Sequence, residues 1–116
     1  DTTVNHLPES FEYEWRPDVL MDVEGGQYPY IIAGSTCLAG DVFGEYAFAK
    51  PLEIGSTVVM YGVGAYNLVK AHTFNGVPLP SIYSLGANGE VDLMKEFTLE
   101  EQSARWGFEA SARFRD

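Results

Sequence analysis

Short runs of alternating apolar and polar residues, separated by turns rich in glycine and proline, account for most of the chain. The clearest run is 11–16, in which aromatic and charged side chains alternate strictly. This period of two predicts a half-buried strand whose aromatic side chains face the core. Strands are also predicted over 28–35, 42–49, 56–63, 82–85 and 91–97. Over 65–74 the side chains alternate between two faces. The run at 56–63 is apolar enough to predict a buried strand.

The two ends of the chain depart from this alternation. Residues 1–10 predict a short segment that ends in a turn. Near the other end, Thr98 and Glu101 have the spacing of a capping box, with an N-cap threonine and a glutamate at the third helical position. A short helix that ends near Gly107 is therefore expected, and 108–116 form either a last strand or a tail.

Roughly six to eight short strands with frequent turns predict an all-β fold. We expect a small Greek-key-like β-barrel or sandwich with a short C-terminal helix. A length of 116 residues suits a single domain over 1–116 with a hydrophobic core.

Composition narrows the classes of partner. Apolar residues make up 46% of the chain, so it is expected to fold. Acidic residues number 17 against 7 basic ones, a formal net charge of −10. This balance argues against nucleic acid, whose phosphates need lysine and arginine, and favours cationic ligands. No run is long enough for a membrane span. A single cysteine cannot form an internal disulfide, which suits a reducing, cytoplasmic location.

The stretch 34–46 concentrates candidate chemistry. It holds the only cysteine, Cys37, with Asp41 four residues later and Glu45 four residues beyond that. Glycines separate these groups, and glycine allows a ligand to approach the main chain closely. The pattern predicts a site on a turn between two strands. The alternative is that Cys37 is a small buried apolar residue.

Other chemistry finds less support in residue types and spacing. No cysteine and histidine have the spacing of a zinc site, and no phosphate-binding glycine pattern opens a helix. A nucleophilic pair of Cys37 with His6 or His72 depends on the fold, and His6 alone is interpreted as a surface or capping histidine. Tyr66 follows a Gly-Ala pair and is either a phenol that donates to a phosphate or a core or rim tyrosine.

Three motifs together carry a resemblance to a known family: Gly34-x-Thr36-Cys37-x-x-x-Asp41, Gly64-Ala65-Tyr66 and Phe74-Asn75-Gly76. In this order they resemble the C-terminal domain of the pyridoxal-phosphate-dependent decarboxylases of the alanine racemase fold (fold type III). Two longer runs, at 36–46 and 69–83, are similar to the carboxynorspermidine decarboxylases within that group. The resemblance spans nearly the whole chain.

The resemblance implies a two-domain homodimer of polyamine biosynthesis. An N-terminal (β/α)8 barrel holds pyridoxal 5′-phosphate on a lysine, and the present chain is the C-terminal β domain. The active site lies between the barrel of one subunit and the C-terminal domain of its partner. Since the barrel is not among these 116 residues, we expect the chain to belong to a longer protein and to be inactive alone.

The resemblance also implies roles for individual residues. Cys37 corresponds to the cysteine that reaches the partner subunit's cofactor and supplies a proton after CO2 departs. Asp41, Glu45 and His6 are expected to bind a cationic substrate, Asp41 also by shaping its pocket. Tyr66 corresponds to the tyrosine that hydrogen-bonds the cofactor phosphate. Expected at the pocket and subunit interface are Phe74 and Asn75.

Two departures from the family pattern bear on the substrate. Ornithine and diaminopimelate decarboxylases have an acid directly after the cysteine, whereas this chain has Leu38, which favours carboxynorspermidine or carboxyspermidine. An acid found shortly before the Gly-Ala-Tyr motif in many relatives is also replaced, by Tyr61-Gly62-Val63. The alternatives are an ornithine- or diaminopimelate-type domain, a non-catalytic binding module of this fold, and a cysteine-dependent hydrolase.

Overall fold

In the computed structural model, which describes residues 2–108, six short strands pair as three antiparallel two-stranded sheets. The strands are β1 (Asp18–Val19), β2 (Tyr28–Ala33), β3 (Val42–Phe48), β4 (Met60–Tyr61), β5 (Ile82–Leu85) and β6 (Val91–Lys95). The helices are α1 (Pro8–Glu12), α2 (Asn67–Lys70) and α3 (Leu99–Arg105), with 3-10 turns at Val4–His6 and Phe74–Gly76. Residue contacts divide the chain into two units, Asp1–Asn75 and Gly76–Asp116. A single domain over 1–116 stays a prediction.

The first unit is built on the hairpin of β2 and β3. Aromatic and β-branched residues of β2 favour an extended backbone. The strands pair with Tyr28 opposite Phe48, and the register shifts just before Ala33. The rings of Tyr30 and Phe48 meet edge to face with their centroids 5.8 Å apart. The strands predicted on either side of Cys37 are therefore confirmed.

The second sheet of this unit pairs β1 with β4 over two residues each. The prediction of a buried strand over 56–63 is wrong, because only its two-residue β4 is a strand and none of its residues is buried. Val58 and Met60 pack partly against the core, whereas Val59 and Tyr61 are exposed. A continuous apolar run in the sequence can therefore form a segment that packs against the core on one face and is exposed on the other.

The prediction of a strand over 11–16 is also wrong. Pro8 occupies the start of α1, where its fixed φ suits a helix and its missing N–H has no intrahelical partner to lose. Pro8 thus begins a helix within residues 1–10, for which the sequence predicts a short segment that ends in a turn. After the helix, Glu14 takes a φ of 53°, which interrupts any extended backbone. The aromatic side chains expected in the core are exposed: Phe11, Tyr13 and Trp15.

Alternating faces at 65–74 likewise do not form a strand, because four of these residues form α2. The ammonium group of Lys70 pairs with the carboxylate of Glu12, which ties α2 to α1. This pairing spans 58 residues of sequence and is invisible to a local pattern. The tight turn predicted at 75–76 is confirmed, with φ values of 62° and 76° at its two residues.

The core of the first unit lies between β3 and the N-terminal segment, defined as residues 2–7. Its buried apolar side chains are Val4, Leu7, Val19, Phe43, Tyr46 and Phe48. Residues 3–8 are buried without interruption, although Thr3, Asn5 and His6 are polar. Buried polar groups are stable only when they are hydrogen-bonded. The N-terminal segment therefore depends on partners elsewhere in the fold.

Arg16 fastens the chain after α1 to β3. Its guanidinium carbon lies 4.0 Å from the centre of the Tyr46 ring. The same group donates to the main-chain carbonyl of Glu45 at 2.9 Å and pairs with Asp22. The hydrogen bond from Arg16 lowers the pKa of Asp22, which also accepts the N–H of Ala47 at 2.8 Å. Arg16 is thus a structural clamp and not only a solvent-facing charge.

The second unit follows its local sequence signals closely. β5 and β6 form the predicted hairpin. The capping box is present, since Thr98 Oγ1 accepts the N–H of Glu101 and the carboxylate of Glu101 accepts the N–H of Thr98. Gly107 ends α3 with a φ of 77°, and two N–H groups close the last turn in the Schellman pattern. Asp1 and 109–116, and with them most of the predicted last strand or tail, lie outside the described residues.

The fold class is confirmed in its coarser form, since the structure is mostly β with short helices. The short C-terminal helix is also present. Across residues 2–108 each strand has one hydrogen-bonded neighbour, so the strands form three separate sheets and no closed barrel.

Removing the Tyr46 hydroxyl tests this packing. The phenol is buried and donates at 2.7 Å to the carbonyl of Pro17, a fully buried residue. Tyr46→Phe should lower the free energy of unfolding by about 1–3 kcal/mol, because an acceptor is left unpaired. Tyr61→Phe removes an exposed hydroxyl that makes no hydrogen bond in the described chain, and should cost less than about 0.5 kcal/mol. Equal effects in denaturant titrations would contradict this account.

Candidate functional site

The thiol turn, residues 34–41, joins β2 to β3 and carries Cys37. At its base, the N–H of Gly34 donates to the carbonyl of Asp41 at 2.7 Å. Within it, the N–H of Asp41 donates to the carbonyl of Leu38 at 3.0 Å. Cys37 is exposed at the tip, so the interpretation of this residue as a buried apolar side chain is wrong.

The carboxylate of Asp41 accepts four hydrogen bonds, and its residue is only 6% exposed. Oδ1 accepts the N–H of Val4 at 2.8 Å. Oδ2 accepts the hydroxyl of Thr3 at 2.8 Å, and the N–H and hydroxyl of Thr36 at 3.0 and 2.5 Å. Two donors thus come from the N-terminal segment and two from the thiol turn. The side chain of Asp41 thereby joins the thiol turn to Val4 and Thr3, which lie 37 and 38 residues earlier in the sequence.

Both threonine hydroxyls that donate to Asp41 also accept hydrogen bonds. Thr3 Oγ1 accepts from the main-chain N–H and the side-chain amide of Asn5, at 3.2 and 2.9 Å. Thr36 Oγ1 accepts the N–H of Leu38 at 3.3 Å. A continuous chain of hydrogen bonds therefore runs from Asn5 through Asp41 to Leu38. The bonds within such a chain polarise and strengthen one another.

The pKa of Asp41 is lowered from its ordinary value of 3.8. Burial is the largest influence and raises the pKa, because it disfavours the charged form. The hydrogen bonds from Thr36, Val4 and Thr3 together outweigh burial and stabilise the carboxylate. All of these donors are neutral groups, so hydroxyl and main-chain dipoles hold the charge.

Gly34 is explained by its contact with this carboxylate. A Cβ atom at position 34 would lie 2.0 Å from Oδ1 of Asp41 and 2.4 Å from its Cγ. Atoms do not approach that closely, so only glycine lets the carboxylate reach the main chain of the turn. Close packing against Asp41 therefore requires glycine at position 34.

Glu45 and His6 occupy different environments. Glu45 is exposed on β3, and its main-chain carbonyl accepts from Arg16. His6 lies in the 3-10 turn of the N-terminal segment, with Nδ1 3.2 Å from Thr2 Oγ1. The interpretation of His6 as a surface histidine is wrong, because it is 8% exposed. Substrate contacts of both residues stay predictions.

Tyr66, Phe74 and Asn75 lie on the stretch that follows β4, and all three are exposed. Tyr66 is the N-cap residue of α2, and its 58% exposure excludes a core tyrosine. Within residues 2–108, no hydrogen bond joins these three side chains to the thiol turn. The geometry therefore brings Asp41 together with the turn that carries Cys37. Glu45, Tyr66, Phe74 and Asn75 are exposed on other segments, and His6 is buried in the N-terminal segment.

Sequence reasoning missed the partners of Asp41. The motif at 34–41 includes Thr36 but predicts no role for it, and Thr3 belongs to the segment 1–10, which predicts only a turn. One local signal exists, since Thr3 and Asn5 have the spacing of a hydroxyl that caps its own turn. Nothing in the sequence pairs that turn with Asp41, 38 residues away.

Two clefts of the first unit lie away from these groups. One of about 570 Å³ is mainly apolar and includes Met21, Val23, Phe48, Pro51 and Leu52. The other, of about 670 Å³, is lined by Glu9, Tyr13, Glu14, Trp15, Arg16 and Gly62. Neither cleft is lined by a predicted site residue. Within residues 2–108, no group of three or more histidine, cysteine or acidic side chains is placed to hold a metal ion. No helix in that range is both long and apolar enough to cross a membrane.

Comparison with known proteins gives a consistent set of relatives. Carboxynorspermidine/carboxyspermidine decarboxylase of Campylobacter jejuni is 41% identical over 86% of this chain. Carboxyaminopropylagmatine decarboxylase of Synechocystis is 38% identical over 88% of it. The crystal structure of carboxynorspermidine decarboxylase from C. jejuni, complexed with norspermidine, matches 90% of the chain with a TM-score of 0.83 and 34% identity. No protein-family model matches.

These matches place the chain among the homologues of decarboxylases of polyamine biosynthesis. More particularly, it is homologous to the C-terminal region of carboxynorspermidine decarboxylase. The chain spans 30% and 27% of the two curated relatives and 32% of the solved chain. The resemblance inferred from the three motifs is thereby confirmed.

Substituting Gly34 tests the close approach of Asp41. Gly34→Ala should lower the free energy of unfolding by about 2–3 kcal/mol, because the new Cβ must displace the carboxylate. It should also speed hydrogen exchange at the amides of Val4 and Thr36. Gly55→Ala is the control, since position 55 is open and only its φ of +91° opposes a side chain. That control should leave both amides protected. Unchanged protection in Gly34→Ala would contradict the contact.

The lowered pKa of Asp41 predicts an acid-sensitive contribution to stability. A carboxyl whose pKa is lower in the folded state stabilises the fold above its ordinary pKa of 3.8, and this contribution is lost as the pH falls through the folded value. The difference in unfolding free energy between the native protein and Asp41→Asn should be largest near neutral pH and shrink below about pH 4. A difference that widens on acidification would refute the assignment.

Proposed function

We propose that this chain is the C-terminal, active-site-completing region of a pyridoxal-phosphate-dependent decarboxylase that acts on carboxynorspermidine or carboxyspermidine. The similarity to the C. jejuni enzyme, 41% identity with a structural match at a TM-score of 0.83, carries the proposal. The exposed cysteine on a firmly held turn supplies the chemistry that such a region must contribute.

The geometry around Tyr66 suits a contact to the cofactor phosphate. Its phenol is exposed and makes no hydrogen bond in the described chain, so it is available to donate. Gly64, two residues earlier, has no atom within 4 Å of where its Cβ would lie, which leaves room for a ligand beside the main chain. When bound, pyridoxal phosphate supplies an acceptor for the electron pair released as the carboxylate leaves.

The lysine that holds the cofactor is proposed to lie in the N-terminal barrel of the complete protein. The three lysines of this chain are at positions 50, 70 and 95. Lys70 and Lys95 pair with Glu12 and Glu101, respectively. The hydrogen bond to Glu12 raises the pKa of Lys70, which favours its ammonium form, a poor nucleophile. We therefore expect the 116-residue chain alone to be inactive.

Cys37 is the proposed proton donor. A positioned thiol can act as a general acid and deliver a proton to the reacting carbon after CO2 has left. A proton donor must come within hydrogen-bond reach of its acceptor, so the placement of the turn matters as much as the thiol itself. Its exposure in this chain fits a group that completes a site on the partner subunit.

A cationic substrate agrees with the charges of the chain. The net charge of −10 favours the approach of a polyamine, and the exposed carboxylate of Glu45 is proposed to pair with one of its ammonium groups. Leu38 stands where ornithine and diaminopimelate decarboxylases have an acid, which disfavours those substrates. His6, Phe74 and Asn75 are proposed to contribute to the pocket and its subunit interface.

Exposed apolar side chains support association with further protein. Large apolar residues more than half exposed include Leu68, Val69, Tyr83, Leu85, Val91 and Met94. Exposed apolar surface often marks contacts with another protein. We propose that the N-terminal barrel and the partner subunit of a homodimer cover it.

Carboxyaminopropylagmatine is a second candidate substrate. The Synechocystis relative named for it is 38% identical over 88% of this chain. Carboxyaminopropylagmatine is also carboxylated and multiply cationic, so the same acidic surface would attract it. Assays with both classes of substrate decide between them.

Replacing Cys37 tests the proposed function. In the complete natural protein, Cys37→Ala should reduce kcat by about 10²–10⁴-fold or yield a wrong product, because the proton donor is lost. KM should change little if the thiol acts mainly in the transition state. Mass spectrometry of the amine products, with CO2 release measured in parallel, gives both results. Ala39→Ser, at an exposed position on the same turn, should retain activity.

Two outcomes would contradict this proposal, the first for the role of Cys37 and the second for the enzymatic function. Full activity in Cys37→Ala would assign protonation to another group. A natural protein that shows no cofactor absorbance sensitive to borohydride, yet still binds polyamines, would be a non-catalytic binding module.

A further inference from the structure

We propose that Asp41 is a positioning residue that fixes where the thiol turn presents Cys37, and that it does not bind the substrate itself. For its catalytic consequence this inference depends on the proposed decarboxylase function. Its structural content depends only on the hydrogen bonds of this chain.

The residues on both sides of Cys37 are fastened to Asp41. On one side, the N–H and the hydroxyl of Thr36 donate to its carboxylate at 3.0 and 2.5 Å. On the other side, the N–H of Leu38 donates to that same hydroxyl at 3.3 Å, and the carbonyl of Leu38 accepts the N–H of Asp41 at 3.0 Å. The main chain that carries the thiol is therefore held from both directions.

The carboxylate is itself fixed by the N-terminal segment. The N–H of Val4 and the hydroxyl of Thr3 each donate to it at 2.8 Å, and both residues are at most 1% exposed. The main-chain N–H of Ser35 also donates to the carbonyl of Thr2 at 3.0 Å. The turn is thus set against the most deeply buried part of the first unit.

A direct contact between Asp41 and a substrate ammonium group is disfavoured by the same geometry. Asp41 is 6% exposed, and Oδ2 already accepts three of the four hydrogen bonds. A cation would have to displace donors that fix the thiol turn. The exposed Glu45 requires no such displacement.

The expected consequence falls on the chemical step. A misplacement of about 1 Å can cost on the order of a hundredfold in rate, because proton transfer requires close approach. Substrate binding by other groups should persist. Loss of Asp41 should therefore lower kcat with little change in KM, whereas loss of a substrate ligand raises KM.

The test uses four variants of the complete natural protein with its cofactor. Asp41→Asn replaces one acceptor oxygen by a donor, and Thr36→Val removes the hydroxyl that links Leu38 to Asp41. Thr36→Ser keeps that hydroxyl and serves as the rescue. Thr57→Val is the matched control, because Thr57 is exposed and makes no hydrogen bond in the described chain.

Steady-state kinetics provide the first readout. For Asp41→Asn and Thr36→Val we expect kcat to fall about tenfold or more, with KM within about twofold of the native value. Thr36→Ser and Thr57→Val should remain near native. A rise in KM for Asp41→Asn at unchanged kcat, with Thr36→Val indifferent, would overturn the proposal in favour of a direct substrate contact.

Hydrogen exchange measured by mass spectrometry provides the second readout. Asp41→Asn should speed exchange about 10- to 100-fold in two separated peptides, one covering Val4 and one covering Thr36 and Leu38. Thr36→Val should affect the peptide with Leu38, and this variant keeps the proposal testable if Asp41→Asn does not fold. Unchanged exchange in both variants would overturn the proposal.

The two proposals fail in distinguishable ways. If the natural protein shows no decarboxylase activity, the proposed function fails, and the rate of Cys37 alkylation by iodoacetamide then replaces kcat. Thr36→Val should change that rate at least about threefold while Thr36→Ser does not. Equal alkylation rates in the two variants would refute positioning, whatever the activity of the protein.

Discussion

Burying the carboxylate of Asp41 removes it from water, which is costly unless other donors replace the lost hydration. Four neutral donors do so here, two from the N-terminal segment and two from the thiol turn. Because the donors are distant in sequence, the charge is satisfied only when both segments are in place. The burial of Thr3 and Asn5 beside the apolar core then has a physical cause, since their polar groups take part in the same chain of hydrogen bonds.

The Arg16 clamp acts on the same strand by a weaker kind of interaction. Its ion pair with Asp22 is largely exposed, and exposed pairs contribute little on their own. Arg16 contributes more because its guanidinium also stacks on the ring of Tyr46 and donates to the carbonyl of Glu45. β3 is therefore held by a buried charge at its beginning and by a stacked guanidinium farther along. Between them, these contacts fix the strand that receives the thiol turn.

The sequence predicted the elements whose causes are local. The hairpin of β5 and β6 follows from alternation and turn residues, and α3 follows from the capping pair Thr98 and Glu101. The failures at 11–16 and 65–74 share one cause, because a period of two over six to ten residues also occurs in segments shaped by contacts elsewhere. The Lys70–Glu12 pair is such a contact. The motifs name the residues of the candidate site, but they do not predict the environment of Asp41, since its partners lie up to 38 residues away.

Under the proposed function, Cys37 serves a site outside its own domain, which requires a firmly held main chain and an exposed side chain. The thiol turn meets both conditions, because Thr36 and Leu38 are tied to Asp41 while Cys37 itself is exposed. Gly34 makes this possible by letting the carboxylate lie directly against the turn. The acid four residues after the cysteine thus has a structural role within the motif, since it holds the main chain on both sides of Cys37 from the buried side.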